Sequence, residues 1–327
     1  MSTALFLNQD GVNLLGKNQD VPYDGAYMFS NKRDRYKTAL IMPPDRPMKW
    51  ISKYNSVTLS QVGKEMPNGG MNEVGLVVEQ TTLWQSSYPN KDGNPVIGEL
   101  QWIQLMLDTC ATVEEVKETA ESLRIVNPFS RLHYMICDRT GACAIFEYLN
   151  GELAIYSGTT LPVQVMVNTP YLETRKRLNE SNKEWSVVLS DYDLDSIKRF
   201  DRVIEYLDNA VAEVDCLYDI LRSIQRADTA FSIIYDINAL EIYFSSNRFP
   251  YRKKLCFQDI DFVRDSEIAV NIQQDKEVCF DLYSADLNQK LVEAFFRNPN
   301  LTAAFGSTIS DEMITFMANF PDSLRSQ

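Results

Sequence analysis

Short segments of alternating polar and apolar residues recur along this chain, and most stand next to one another across a turn. Residues 132–137, 143–148 and 153–156 alternate in this way, and Asn150-Gly151 between the last two is a strong hairpin signal. Residues 229–235 and 240–244 form another such pair. Near the start, 4–8 and 12–15 flank Gln9-Asp10-Gly11, 56–62 alternates with a period near two, and Pro67-Asn68-Gly69-Gly70 reads as a turn before the apolar run 76–78. Helical blocks lie between them. Leu100, Ile103 and Leu107 share one stripe of 97–107, and Thr112-Val113-Glu114-Glu115 fits a capping box opening a helix to about Leu123. Further helices are expected over 194–207, 214–224 and 287–297, and after Ser310, an N-cap followed by Asp311 and Glu312. Hairpin neighbours pair antiparallel, and βαβ spacing is absent. The pattern predicts an α+β fold with antiparallel sheets packed under helices.

No repeat, low-complexity tract or Pro/Gly/Ser-rich linker divides the 327 residues, so residues 1–327 read as one domain. The formal net charge of −13 argues against a nucleic-acid partner, which would call for a basic patch. No apolar run is long enough to span a bilayer, and the N-terminus lacks the pattern of a signal peptide, so the expectation is a cytoplasmic protein without membrane contact. The six cysteines are scattered without a C-x-x-C pair and read as reduced, mostly buried thiols. His133 is the only histidine. Any Ser-His-Asp or Cys-His chemistry would have to use it, multi-histidine metal sites are excluded, and its setting is that of a packed strand residue. Neither a metal nor a cofactor is expected.

The first twenty residues suggest chemistry. Removal of Met1 would leave the hydroxyl residue Ser2 at the N-terminus, and the opening hairpin would fold Lys17 and Asp20 back toward it. A terminal nucleophile of this kind carries its own base, because the α-amine takes the proton while the side chain attacks. By itself the segment reads rather as an ordinary hairpin with a polar exit.

Five ordered segments resemble the choloylglycine hydrolase and penicillin V acylase family, N-terminal nucleophile hydrolases of linear amides. They are Ser2-Thr3 with Gly16-Lys17-Asn18-Gln19-Asp20, Gly70-Met71-Asn72-Glu73-Val74-Gly75-Leu76, Glu99-Leu100-Gln101-Trp102, Asn168-Thr169-Pro170, and Arg199-Phe200-Asp201-Arg202. The resemblance implies a four-layer αββα sandwich of antiparallel sheets. It implies catalytic roles for Ser2, Lys17, Asp20, Asn168 and Arg199, with a second oxyanion position near Thr82 and substrate contact at Trp84. Asp20 would direct the α-ammonium, Lys17 would supply positive charge near the nucleophile, and Asn168 would donate to the oxyanion. Arg199 would hold the site's carboxylate or orient the nucleophile. The implied substrate is a small acyl amide such as a bile-salt conjugate, penicillin V or another N-acyl amine, recognised mainly through an apolar acyl side. The implied assembly is a homo-oligomer, dimer or tetramer.

The family pattern has cysteine where this chain has Ser2, and arginine where it has Lys17. Three readings stay open: a cysteine replaced by serine in a trapped form, a natural serine enzyme, or a non-catalytic member that binds an acylated ligand in the same pocket. Residue by residue, Lys17 and Asp20 are also readable as a solvated turn pair, Arg199 as a surface partner of Asp195, and Trp84 as core packing.

Overall fold

In the computed structural model, residues 1–89, 93–126, 130–176, 178, 190–263, 266–275, 277–301 and 309–324 are described. The chain opens with β1 (Ser2–Gln9), β2 (Val12–Asp20), β3 (Tyr27–Asn31), β4 (Tyr36–Thr38), β5 (Lys49–Ile51), β6 (Ser56–Ser60), β7 (Gly69–Asn72), β8 (Val77–Thr82) and β9 (Val96–Gly98). Two helices follow, α1 (Glu99–Thr109) and α2 (Val113–Glu121), then β10 (Arg124–Val126), β11 (Leu132–Cys137), β12 (Cys143–Leu149), β13 (Glu152–Ser157) and β14 (Val165–Met166). Next come α3 (Tyr171–Lys176), α4 (Asp191–Leu207), α5 (Val214–Ser223), β15 (Thr229–Asp236), β16 (Glu241–Ser246), β17 (Lys253–Cys256), β18 (Ile268–Asn271) and β19 (Asp281–Leu282). The helices α6 (Ala285–Phe296) and α7 (Asp311–Ser323) end it.

Two large antiparallel sheets dominate. One has the order β14-β1-β2-β15-β16-β17, the other β13-β12-β11-β8-β7-β6-β3-β18-β19. Side chains alternate between the two faces of a strand. Ala4, Phe6, Leu15, Ile233 and Tyr235 of the first sheet therefore meet Met28, Val57, Met71, Val77, Met135 and Ile145 of the second in one buried inner layer. The opposite faces take helices. Leu5, Leu7, Leu14 and Ile234 pack on Phe200 and Val203 of α4 and on Leu217 and Ile220 of α5. Val78, Tyr134, Ile136 and Phe146 pack under Trp102, Ile103 and Met106 of α1 and Val116 of α2. The result is a four-layer αββα sandwich. Burying each large apolar side chain stabilises it by about 1.5–3 kcal/mol. The last two helices pack against each other and on Val62 and Met66 beyond β6.

Helix starts follow the sequence. Thr112, Ser190, Ser284 and Ser310 each accept a backbone N–H from the first turn of α2, α4, α6 and α7. Asn150 and Gly151 both have positive φ, as a two-residue hairpin turn requires. Two expectations need correction. The second strand does not end at Leu15 but runs through Gly16-Lys17-Asn18-Gln19 to Asp20, because β1 and β15 pair with it on both sides and satisfy its backbone. Gly69 and Gly70 are not a turn but lie inside β7. A Cβ at Gly69 would lie 2.2 Å from the Glu79 carboxylate, so close approach of side chain to backbone, not chain reversal, requires glycine there. Among the described residues every cysteine is a free thiol, and Cys110, Cys137, Cys143 and Cys256 are buried. No described helix is long and apolar enough to cross a membrane, and no described cluster of His, Cys, Asp or Glu is arranged to hold a metal.

Glu99, the first residue of α1, is buried, and one of its carboxylate oxygens accepts the Ser130 N–H at 3.1 Å. Burial raises its pKa from 4.5 to about 7. The folded state therefore binds more protons than the unfolded chain between those values, and stability falls as pH rises from about 4.5 to about 7. Glu99→Gln should remove this slope. Urea unfolding of the two proteins should diverge by on the order of 2–3 kcal/mol between pH 4.5 and pH 8, in favour of the variant at the higher pH.

Candidate active site

The first strand lies between β14 and β2: β2 pairs along its whole length, and β14 pairs at Ala4 and Leu5. Ser2 stands opposite Gln19 and is buried. Met1 extends the ladder: its α-ammonium donates to the Asp20 carbonyl at 2.6 Å, and the Asp20 N–H donates to the Met1 carbonyl at 3.0 Å. The Ser2 N–H donates to Asn168 Oδ1 at 2.9 Å. The Ser2 hydroxyl donates to the Met1 carbonyl, and its oxygen lies 3.4 Å from the Asp20 N–H.

Asn168 follows β14 by two residues, and α4 supplies the groups that fix it. Its backbone N–H donates to Ser196 Oγ at 2.8 Å, and its side-chain Nδ2 donates to the Thr82 carbonyl at 2.8 Å. Arg199, one turn along the same helix face from Ser196, is buried. It donates to the Ser2 carbonyl at 2.8 Å, to Asn168 Oδ1 at 2.8 Å and to the Thr3 hydroxyl. Its Nε donates to Asp195 at 3.0 Å, so the expected surface pair exists as one arm of an otherwise buried guanidinium. The fork geometry that serves these separate acceptors is specific to arginine. Asp20 accepts the Thr229 hydroxyl through Oδ1 at 2.6 Å. Its Oδ2 has no hydrogen-bond partner and lies 3.9 Å from Arg199. The structure thus brings Ser2, Asp20, Asn168 and Arg199 together, and the solvated-turn reading of Asp20 and Lys17 fails because both are buried in β2.

Lys17 is directed elsewhere. It stands opposite Ala4 on the inner face, and its Nζ lies 2.6 Å from Glu79 Oε2 on the facing sheet. Tyr235 donates to the other oxygen of Glu79 at 2.6 Å. Its positive charge is therefore matched by a buried carboxylate rather than offered to Ser2. Sequence reasoning missed Glu79. The only signal for it was an acid following Val77-Val78 in a strand with no apolar break. Thr82 takes part through its carbonyl. Trp84 is half exposed, so it is not core packing; its ring lies 6.4 Å from that of Tyr192. A cavity of about 210 Å³ lies between Met1, Asp20, Thr82 and Trp84, with apolar walls from Val62, Leu100, Leu132 and Phe295.

Burial sets the electrostatics. It lowers the Met1 α-ammonium from 8.0 to about 6, against an opposing pull from Asp20. It raises Asp20, partly offset by the Thr229 hydrogen bond and by Arg199. It lowers Lys17 and raises Glu79, each opposed by the other's charge. The Met1 amine is therefore mostly neutral at pH 7. While Met1 is attached, however, the nitrogen of Ser2 is an amide and is not basic.

A family of linear amide C–N hydrolases, the choloylglycine hydrolase family, matches this chain over residues 2–199. The chain belongs to that family. A penicillin V acylase of Pectobacterium atrosepticum is 29% identical over 148 residues, 40% of this chain and 39% of that protein. A bile salt hydrolase/transferase of Clostridium perfringens is 27% identical over 195 residues, 52% of this chain and 54% of that protein. Each match thus spans about half, or less, of the relative. Among solved structures, a penicillin V acylase from Agrobacterium tumefaciens superimposes with a TM-score of 0.71 at 22% identity, over 86% of this chain and 98% of that one. A mutant conjugated bile acid hydrolase from Clostridium perfringens gives 0.66 at 18% identity, over 87% and 97%. These likenesses establish the choloylglycine hydrolase fold for the chain.

The Lys17–Glu79 pair makes a sharp prediction. Lys17→Met leaves a buried carboxylate unmatched and should destabilise the protein by about 3–5 kcal/mol. Adding Glu79→Gln should recover most of that loss. Chemical denaturation of the two single variants and the double variant measures both. Equal instability of Lys17→Met with and without the second change would mean that the pair is not what holds these residues.

Proposed function

We propose that the chain hydrolyses a linear carbon–nitrogen amide through Ser2, after Met1 has been removed. The observation that carries this reading is the Ser2 nitrogen 2.9 Å from Asn168 Oδ1, on an Asn168 that Arg199 also holds while lying 3.9 Å from Asp20 Oδ2. Once freed, that nitrogen is an α-amine. It takes the proton from Ser2 Oγ as the oxygen attacks the substrate carbonyl carbon. Asn168 Nδ2, with one hydrogen already given to the Thr82 carbonyl, has its second hydrogen for the oxyanion. Thr82 is the neighbouring candidate for a second donor. The amine then returns its proton to the leaving nitrogen as the carbon–nitrogen bond breaks, giving an acyl-enzyme, and water attacks the ester by the same route in reverse. Arg199 holds the Ser2 carbonyl and Asn168 in register throughout.

The substrate class follows from the cavity. Val62, Leu100, Leu132 and Phe295 offer an apolar wall to an acyl group, and Trp84 at the rim adds a rigid face. Bile-salt conjugates, penicillin V and other N-acyl amines are the candidates. The same reading has residues 1–327 acting as one unit, supported by the packing of α6 and α7 on Val62 and Met66 near that cavity. A cytoplasmic setting and a dimer or tetramer belong to it also, and sedimentation at micromolar concentration tests the assembly. A second reading, a non-catalytic protein or trapped form that holds an acylated ligand in this cavity, is supported by Ser2 and Lys17 standing where the family pattern has cysteine and arginine.

Mass spectrometry of the N-terminus and an amide panel separate the two. For the enzyme, the mature chain begins at Ser2, Ser2→Ala abolishes turnover, and Ser2→Cys raises it. Asn168→Ala should lower kcat by about 10²–10³-fold, as loss of one oxyanion donor does elsewhere. A correctly folded protein with Met1 removed that is inactive as serine and as cysteine across the panel is the binding protein instead. Within an acyl series sharing one leaving amine, rates should vary with the acyl chain.

A further inference from the structure

We propose that His133, the only histidine, is a positioning residue for Asn168, acting with Thr81 and Glu147 as a clamp between the two sheets. The inference rests on the reading of Asn168 as the oxyanion donor. His133, Thr81 and Glu147 lie on the inner face of β11, β8 and β12, and all three are wholly buried. Nε2 of His133 is 2.7 Å from the Val167 carbonyl and 2.5 Å from Thr81 Oγ1. A carbonyl only accepts, so Nε2 carries hydrogen. The Thr81 hydroxyl donates to the same carbonyl at 2.7 Å. Two donors from the second sheet thus converge on the peptide that links Val167 to Asn168.

The other ring nitrogen completes the clamp. Nδ1 is 2.9 Å from Glu147 Oε1, and that oxygen also accepts the Tyr171 N–H at 2.9 Å. Val167 and Tyr171 bracket Asn168-Thr169-Pro170. One hydrogen-bonded line therefore holds both ends of the segment that carries Asn168. The next residue after Thr81 is Thr82, whose carbonyl takes the Asn168 side-chain hydrogen. Thr81 therefore ties the carbonyl that fixes Asn168 Nδ2 to the peptide that fixes the Asn168 backbone.

A buried histidine with a carboxylate behind it has the outline of a catalytic base. Here that role is excluded by direction, because Nε2 is occupied by Val167 and Thr81 rather than by Ser2. Its contribution is geometric. A misplacement of about 1 Å in a group that stabilises the transition state costs on the order of 10²-fold in rate, and Asn168 is the group this clamp fixes.

The test uses the full chain with Met1 removed, as Ser2 and as Ser2→Cys, with His133→Leu, His133→Gln and Thr81→Val in each. Two readouts are taken. One is kcat and KM on an N-acyl amide. The other is the side-chain amide resonance pair of Asn168 in ¹⁵N-labelled protein, assigned by its loss in Asn168→Asp. His133→Leu should lower kcat at least tenfold with KM within about threefold, and should shift or broaden the Asn168 pair. His133→Gln, which keeps an N–H donor near the place of Nε2, should recover most of both. Thr81→Val removes one of the two donors and should move both readouts less, in the same direction. It also serves if His133→Leu does not fold. An unchanged Asn168 pair with kcat within twofold of the parent would overturn the proposal. If neither parent hydrolyses any amide, the functional reading falls, and the Asn168 resonances alone decide whether His133 positions that residue.

Discussion

The hydrogen bond from the Ser2 N–H to Asn168 Oδ1 joins the first paired residue of the chain to a segment 166 residues away. It forms where polar groups have no access to bulk water, so an unmade partner costs about 1–3 kcal/mol. Arg199 reinforces it by donating to Asn168 Oδ1 and to the Ser2 carbonyl at once. The strand order β14-β1-β2 follows from the same requirement. Along β1, β2 satisfies one edge; on the other, β14 pairs Ala4 and Leu5, and the Asn168 and Arg199 side chains take the N–H and carbonyl of Ser2. Any shift of the first strand by one residue would turn Ser2 from the inner face to the helical face and bring Thr3 in its place. Position 2 is thus fixed by pairing as much as by chemistry.

Beneath the site the inner layer is not uniformly apolar. Lys17, Glu79 and Tyr235 form one buried polar group, and Thr81, His133 and Glu147 form another, with Glu79 and Thr81 two residues apart on β8. Both groups bridge from one sheet to elements of the other. Apolar packing alone tolerates sliding between sheets, because it has little directionality. Hydrogen bonds in a region of low dielectric do not tolerate it, since a displaced donor finds no water. The two groups therefore fix how the sheets face each other near Ser2, while the apolar residues farther along the strands supply most of the stability. Close approach at Gly69 serves this arrangement, because the Glu79 carboxylate fills the space a side chain would occupy.

The hairpins and helices were legible in the sequence because their signals are local. Asn150-Gly151 sets its own turn, and Ser310 caps its own helix. The polar half of β2 was not legible as strand, since Lys17-Asn18-Gln19-Asp20 has the composition of a loop. It becomes strand because Thr229–Asp236, more than two hundred residues later, pairs with its far edge. The return of Asp20 toward Ser2 was legible from the opening hairpin, but Asn168 and Arg199 could be joined to them only through the family resemblance, because no spacing in the sequence relates them. Glu79 and the partners of His133 escaped both routes. Each looks like an isolated polar residue in a strand, and its significance lies in a partner on another strand that periodicity does not identify.

The charge state of the Lys17–Glu79 pair bears on which nucleophile this site suits. A thiolate at rest is an anion, and a nearby unmatched cation stabilises it by lowering the thiol pKa. Here Lys17 meets Glu79 at 2.6 Å with both buried, so the pair presents no net charge to Ser2. A hydroxyl has no need of such a field at rest, because it is neutral near pH 7. Asn168 Nδ2 is directed to the Thr82 carbonyl and Lys17 Nζ to Glu79, so the two donors serve different parts of the inner layer. The neutral pair and the hydroxyl at position 2 are therefore mutually consistent. Glu79, on the sheet opposite β2, is the residue that matches the charge of Lys17.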